Sequence, residues 1–228
     1  MTVNLIKHVA EDTDVTFAAR VSTIGGESRY QEASEKDAGL INYLMRDKHG
    51  SPFEHNSMTF YVEAPIFVIR EFMRHRIGFS YNEESGRYKE LAPVFYVPAD
   101  DRPLRQAGKP GSYIFTAGDY KQVRTVNGDI RRISEEAYST YERLLKLEVA
   151  REVARMVLPV NIYSSFYVTC NARSLMSFLA LRTKRENARF KSSPQQEIRM
   201  VADEMELQFS RLMPLTHAAF ERHGRVAP

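Results

Sequence analysis

Glu71 to Tyr88 reads EFMRHRIGFSYNEESGRY, and the almost wholly apolar run Pro65-Ile66-Phe67-Val68-Ile69 leads into it. These eighteen residues hold three arginines, a histidine, three carboxylates, two serines and an asparagine. Burying charge costs several kcal/mol per ion unless the ion is paired. A chain that runs a buried helix into so polar a segment therefore has a polar ligand to hold. Arg74 and Arg76 offer planar guanidinium forks that suit phosphate. Ser85-Gly86-Arg87 adds a hydroxyl, close backbone approach and another fork. The stretch reads as a site for an anionic, phosphate-bearing ligand.

On its N-terminal side, Ser57 to Glu63 alternates: Met58, Phe60 and Val62 face one way, Ser57, Thr59 and Tyr61 the other, as in a half-buried strand. Pro65 suits the first turn of the following helix, which is expected to carry Glu71, Arg74 and His75 at its C-terminal end. Further back, Val3 to Leu5 forms a short edge strand. Asp12 or Asp14 caps a helix through Ala18-Ala19, which Gly25 and Gly26 end. Ser34 with Asp37 resembles a capping box ahead of the stripe Leu40, Ile41, Leu44 and Met45. On the other side, residues 98 to 128 are rich in Gly, Pro and charge and read as a long excursion or lid. Asp129 is expected to cap a helix striped by Ile130, Ile133, Ala137, Tyr141 and Leu144. A second helical stretch holds Val149, Val153 and Met156 and stops near Pro159. Asn161 to Cys170 alternates as a strand. Leu175, Phe178 and Leu179 begin a helix, and Ser193-Pro194 opens a last long one striped by Ile198, Val201, Ala202, Met205, Phe209 and Leu212. The fold class is α+β: a small mixed or antiparallel sheet with several packed helices, in a single domain over residues 1–228.

Composition narrows the function classes. With 43% apolar and 27% charged residues the chain is globular and soluble. No apolar run approaches the ~20 residues of a membrane span, and the N-terminus lacks a signal-peptide layout. The single cysteine, Cys170, excludes an internal disulfide and a cysteine zinc site. A cytoplasmic location is the default. A net charge of +3 does not argue for nucleic acid. His49, His55 and His75 lack metal-ligand spacing, so no metal is expected. Cys170, at a strand end with no adjacent base, reads as a small buried residue. The basic run Arg182 to Lys191 reads as a solvated loop.

Arg74-His75-Arg76, followed after Ile77 to Glu84 by Ser85-Gly86-Arg87-Tyr88, resembles the signature of the flavin-dependent thymidylate synthases (ThyX). The spacer is one residue longer than the family's. Ser51-Pro52-Phe53-Glu54-His55, Ala154-Arg155-Met156-Val157-Leu158-Pro159 and Asn171-Ala172-Arg173-Ser174-Leu175-Met176 resemble further family segments and come in the family's order. The resemblance implies an FAD enzyme that converts dUMP to dTMP, with methylenetetrahydrofolate as carbon donor and NADPH as reductant, built as a homotetramer with shared active sites. It implies FAD contacts at Ser51, Arg74, His75, Arg76, Glu83, Asn171 and Arg173, and at Ser177, where the family often has Asn. It implies dUMP contacts at Ser85 and Arg87 for the phosphate, and at Arg155, with Glu71, Arg74, Glu83, Glu84 and Gly86 in the same set. Glu84 stands where the family often has Leu and is expected to act through its backbone. Glu71, one turn before His75, could orient it.

Arg182 lies three, four and seven residues after Leu179, Phe178 and Leu175 and so continues a buried helix face. Spacing alone reads it as an arginine snorkelling from an apolar stripe. The resemblance instead implies that it binds the pyrimidine and is the catalytic residue, stabilising negative charge on the ring. The rival reading is a non-catalytic nucleotide- or RNA-binding module using the same arginines for phosphate alone.

Overall fold

The computed structural model describes residues 1–30 and 34–228. The edge strand expected near Val3 continues to the end of β1 (Thr2–Val9). Helix α1 (Asp12–Ile24) is capped by Glu11, not by Asp12 or Asp14; the Asp14 carboxylate accepts from the Glu11 amide at 2.7 Å. Gly25, at φ 57°, ends the helix in a conformation that favours glycine. Helix α2 (Asp37–Arg46) buries Ile41, Leu44 and Met45 from the expected stripe. Its Asp37 carboxylate accepts from the amide and hydroxyl of Ser34 and pairs with Arg20 at 2.5 Å, so the bracket ties Ser34 to the first residue of the helix.

Strand β2 (Ser57–Pro65) buries Met58, Phe60 and Val62, as its alternation requires, and then Ala64 and Pro65. Helix α3 (Ile66–Phe72) follows, with Pro65 just outside it. Arg74 and His75 therefore lie in the turn beyond the helix, not on it. Strand β3 (Phe79–Glu83) comes next.

The 98–128 stretch is not irregular throughout. It carries an antiparallel hairpin, β4 (Arg105–Lys109) and β5 (Ser112–Thr116), with Arg105 opposite Thr116 and Lys109 opposite Ser112. Helix α4 (Tyr120–Lys146) starts well before Asp129. Asp119 is its cap, accepting from the Gln122 amide at 2.8 Å while the Gln122 side chain accepts from the Asp119 amide at 2.9 Å. Of the expected stripe Tyr141 is buried, but Ser134 takes the position next to Ile133, which stays half exposed. The second helical stretch is short, α5 (Arg151–Ala154) plus a 3-10 turn, Arg155–Val157. Strand β6 (Tyr163–Cys170) alternates as expected. Helices α6 (Ala172–Arg182) and α7 (Gln196–Leu212) follow, α7 ending at Leu212 as its stripe does, and Pro214 opens a further short helix, α8 (Pro214–Arg222), that the stripe does not reach.

The four-stranded sheet has the order β1-β2-β6-β3. Thr59 bonds to Thr169 at 2.9 Å and the Tyr61 ring lies tilted against that of Tyr167 at 5.7 Å, so β2 and β6 run in opposite directions. The α+β expectation holds. Among the described residues, no helix is long and apolar enough to cross a membrane.

Contacts divide the chain into two units. The first comprises Met1–Val62, Phe72–Asn82 and Tyr167–Pro228. Its buried side chains include Met58, Phe60, Leu175, Phe178 and Phe209, with α6 on α7 and α7 on α8. Buried Arg225 bonds to Glu206 at 2.5 Å and to Glu221, and Arg185 of the basic run pairs with Glu206 at 2.8 Å; that part of the run is an internal anchor, not solvated loop. The second unit comprises Glu63–Glu71 and Glu83–Phe166. In it α4 packs on α5, and Asn161 bonds to the Tyr96 carbonyl at 2.9 Å and to Ser134.

Candidate functional site

In the first unit, the turn after α3 and the start of α6 share one cavity of about 570 Å³, lined by Arg74, His75, Arg76, Arg173, Ser174 and Ser177 among others. Asn171 caps α6, its side-chain oxygen accepting from the Ser174 amide at 2.9 Å. The start of this eleven-residue helix, through Arg173 and Ser174, thus sits with three guanidiniums around one space, while its Ala172 amide is taken by Asn56 at 2.7 Å and its Ser174 amide by Asn171. Helix N-terminal amides and arginine forks are the donors that a diphosphate accepts from. This donor set fits a dinucleotide such as FAD.

Two close approaches shape the cavity wall. Gly78 has φ 68°, and a Cβ there would lie 2.0 Å from the Ser174 hydroxyl. At Gly50 a Cβ would lie 2.5 Å from the Arg173 guanidinium carbon. Arg173 is held at two points: its Nη1 pairs with Glu54 at 2.5 Å, and its Nε donates to the Pro228 carbonyl at 2.6 Å. Ser51 is exposed in the 3-10 turn Ser51–Glu54, and the cavity is lined by Glu54 instead. The Ser177 hydroxyl donates to the Arg173 carbonyl at 3.2 Å.

His75 and Arg182 meet in this unit: Arg182 Nε donates to His75 Nε2 at 3.0 Å. Burial first, and the Arg182 charge second, hold the His75 pKa down to about 4. The ring is therefore a neutral acceptor near neutral pH. Glu71 was expected to orient His75 across one helical turn, but α3 ends at Phe72, so that spacing no longer places them on one face. Tyr81 fixes the turn backbone. Its hydroxyl lies 2.8 Å from both the Phe72 and His75 carbonyls and shares one proton between them.

In the second unit, Glu83, Glu84, Ser85, Gly86, Arg87 and Arg155 form another cluster. The Ser164 hydroxyl donates to Glu83 at 2.7 Å. The Glu84 carboxylate accepts from the Ser165 amide at 3.1 Å and pairs with Lys89 at 2.8 Å. The Ser85 carbonyl accepts from the amides of Tyr88 and Lys89, forming a tight turn. Buried Gly86 lies against the Arg155 stem, where a Cβ would sit 3.4 Å from Arg155 Cδ. Arg87 Nε donates to Glu152 at 3.0 Å, with both side chains about half exposed. Arg87 and Arg155 thus flank one turn that offers a hydroxyl and two guanidiniums.

Sequence reasoning missed four features of these clusters. Glu54 lay inside a segment already singled out, and a carboxylate beside the buried Phe53 was the signal that could have found it. Tyr81, Glu152 and the segment Ala227–Pro228 act through non-local contacts with no local pattern. Cys170 is buried, and burial pushes its thiol pKa up, which makes a poor nucleophile.

The family model described as thymidylate synthase complementing protein matches residues 4–215. A protein of Streptomyces coelicolor named flavin-dependent thymidylate synthase is 60% identical, over 100% of this chain and 94% of its own. One of the same name from Thermotoga neapolitana is 42% identical, over 97% and 91%. Among solved structures, a UMP/dUMP methylase, PolB, from Streptomyces cacaoi bound with 5-Br dUMP superposes with a TM-score of 0.94 at 52% identity, covering 100% of this chain and 97% of that one.

Proposed function

The chain belongs to the thymidylate synthase complementing protein family, and from this membership we propose that it is an FAD-dependent thymidylate synthase acting on dUMP. Methylenetetrahydrofolate is the carbon donor and NADPH the reductant, and the enzyme works in the cytoplasm as a homotetramer with shared active sites. The observation that carries the reading is the convergence of Arg74, Arg76 and Arg173 with the N-terminus of α6 on one cavity. Those groups hold the flavin diphosphate. Bound reduced flavin supplies the hydride that completes the new methyl group; the protein's part is to bind, orient and polarise. Ser85, Arg87 and Arg155 hold the dUMP phosphate. Arg182 is assigned to the uracil ring, where an always-charged guanidinium stabilises the negative charge that develops.

The purified protein should carry a flavin absorption band and form dTMP from dUMP when both co-substrates are supplied. A colourless protein that binds dUMP but forms no dTMP after FAD is added overturns the reading in favour of a nucleotide-binding module. Because the Streptomyces cacaoi relative is named a UMP/dUMP methylase, UMP belongs in the same assay; turnover of UMP at the dUMP rate would widen the substrate assignment.

A further inference from the structure

The bond between Arg182 and His75 has a direction, and the direction carries information. Arginine has no acceptor, so the His75 nitrogen at 3.0 Å must carry a lone pair. The imidazole is then neutral, with its proton on Nδ1. We propose that His75 is the positioning residue of Arg182, its Nε2 fixing the plane of the guanidinium that faces the uracil ring. The inference rests on the role given to Arg182 above and extends it.

Four observations support it. First, the acceptor sits on Nε, the nitrogen nearest the stem, so it restrains rotation of the whole fork and aims the terminal nitrogens. Second, the ring is itself held. It meets Phe178 edge-on at 4.9 Å and lies 6.0 Å from Phe79, while Phe72 stacks on Phe178 at 4.8 Å. Third, the His75 backbone is fixed at both ends: its amide donates to the Phe72 carbonyl at 2.8 Å and its carbonyl accepts from Tyr81 at 2.8 Å. Fourth, the charged group in direct contact with the ring is Arg182, while Arg74, Arg76, Arg173 and Glu54 line the same cavity. That mostly cationic surrounding opposes protonation of the ring, which burial and Arg182 already hold down.

The choice of residue also makes physical sense. A carboxylate in this place would aim the arginine equally well but would cancel the charge that the reaction needs. A neutral imidazole orients the guanidinium and leaves its charge intact. A histidine of the cofactor-side signature thereby acts on the substrate side.

The test has two arms. In the full-length protein, nitrogen-15 NMR of the histidine rings should show His75 with its proton on Nδ1, and Arg182→Ala should abolish that preference. A wild-type ring protonated on Nε2 overturns the proposal without reference to activity. In the second arm, His75→Phe and His75→Gln are compared by steady-state kinetics normalised to bound flavin. His75→Phe keeps the packing but removes the acceptor, and its kcat should fall ~10²-fold, the scale of a displaced preorganised donor. His75→Gln supplies a neutral oxygen acceptor and should recover about tenfold of that loss. A fall in flavin content with unchanged kcat per flavin makes His75 a cofactor contact only and overturns the inference. If Arg182→Ala itself leaves kcat unchanged, the role of Arg182 fails and this inference with it; if only His75→Phe leaves kcat unchanged, this inference fails alone.

Discussion

Arg173 and Arg87 are both partly exposed and both suited to a phosphate, yet they are held in different ways. Arg173 is fixed at two points, by Glu54 and by the Pro228 carbonyl, beside the capped start of α6. Arg87 is held by one exposed carboxylate, Glu152, on a turn built around Gly86. Exposed ion pairs contribute about 0–1 kcal/mol, which holds for Glu54 with Arg173 as for Glu152 with Arg87; the Pro228 carbonyl is the second anchor that Arg173 has in addition. The first cluster is preorganised and suits a cofactor that stays bound. The second is adaptable and suits a substrate that must leave at each turnover.

Arg182 offers the sharpest way to break this contrast, because it belongs to neither anion cluster. Arg182→Ala should lower kcat by ~10²–10³, or about 3–4 kcal/mol, while flavin content stays near wild type. Arg182→Lys should not restore the rate fully, since an ammonium lacks the planar fork. A change confined to the KM for dUMP would make Arg182 a binding residue. Next in size is Arg173→Ala. Loss of one charge-assisted contact to phosphate, ~1.5–3 kcal/mol, should weaken flavin binding by tenfold or more. Equilibrium titration of stripped protein with FAD measures it, and wild-type affinity would remove Arg173 from the cofactor site.

Arg87→Ala comes third. On the proposed reading Arg87 holds a phosphate that does not change during the reaction, so the dUMP KM should rise about tenfold with kcat unchanged. Glu152→Ala should shift the same KM by less than about fivefold, the limit set by an exposed pair. If the two variants changed KM equally, the turn would be as rigid as the Arg173 site and the contrast would collapse. Smallest is Cys170→Ala, which should keep dTMP formation within about twofold and cost about 1 kcal/mol of stability. Complete loss of turnover in a folded, flavin-loaded variant would point to a covalent cysteine mechanism.

What could be read in the chain followed from burial. Met58, Phe60 and Val62 alternate because one face of β2 is in the core, and Leu175, Phe178, Leu179 and Arg182 repeat at helical spacing because α6 buries one side. The hairpin left no such trace. All ten of its strand residues are exposed, so no period-two pattern exists, and Gly108 and Gly111 read as loop. The first turns of α4 offer only Val123 and Val126 as half-buried apolar positions, so the stripe from Ile130 points to Asp129 as the cap although Asp119 and Gln122 stand at capping-box spacing. At the site, the arginines announced themselves by density in a short stretch. Their partners did not: Glu152 lies 65 residues from Arg87, and Arg182 lies 107 from His75.

The buried state of Cys170 has a practical consequence for measurement. The chain holds one thiol, and it is enclosed by the core and kept protonated. Maleimide and methanethiosulfonate reagents attack accessible thiolates, so the native protein is a silent background for them. A cysteine introduced at Ile77, which is 92% exposed, or at Lys109 on the hairpin would be the one site that takes a spin label or fluorophore. Ligand-dependent movement of the signature turn and of the hairpin then becomes directly observable, without first stripping the protein of a native reactive group.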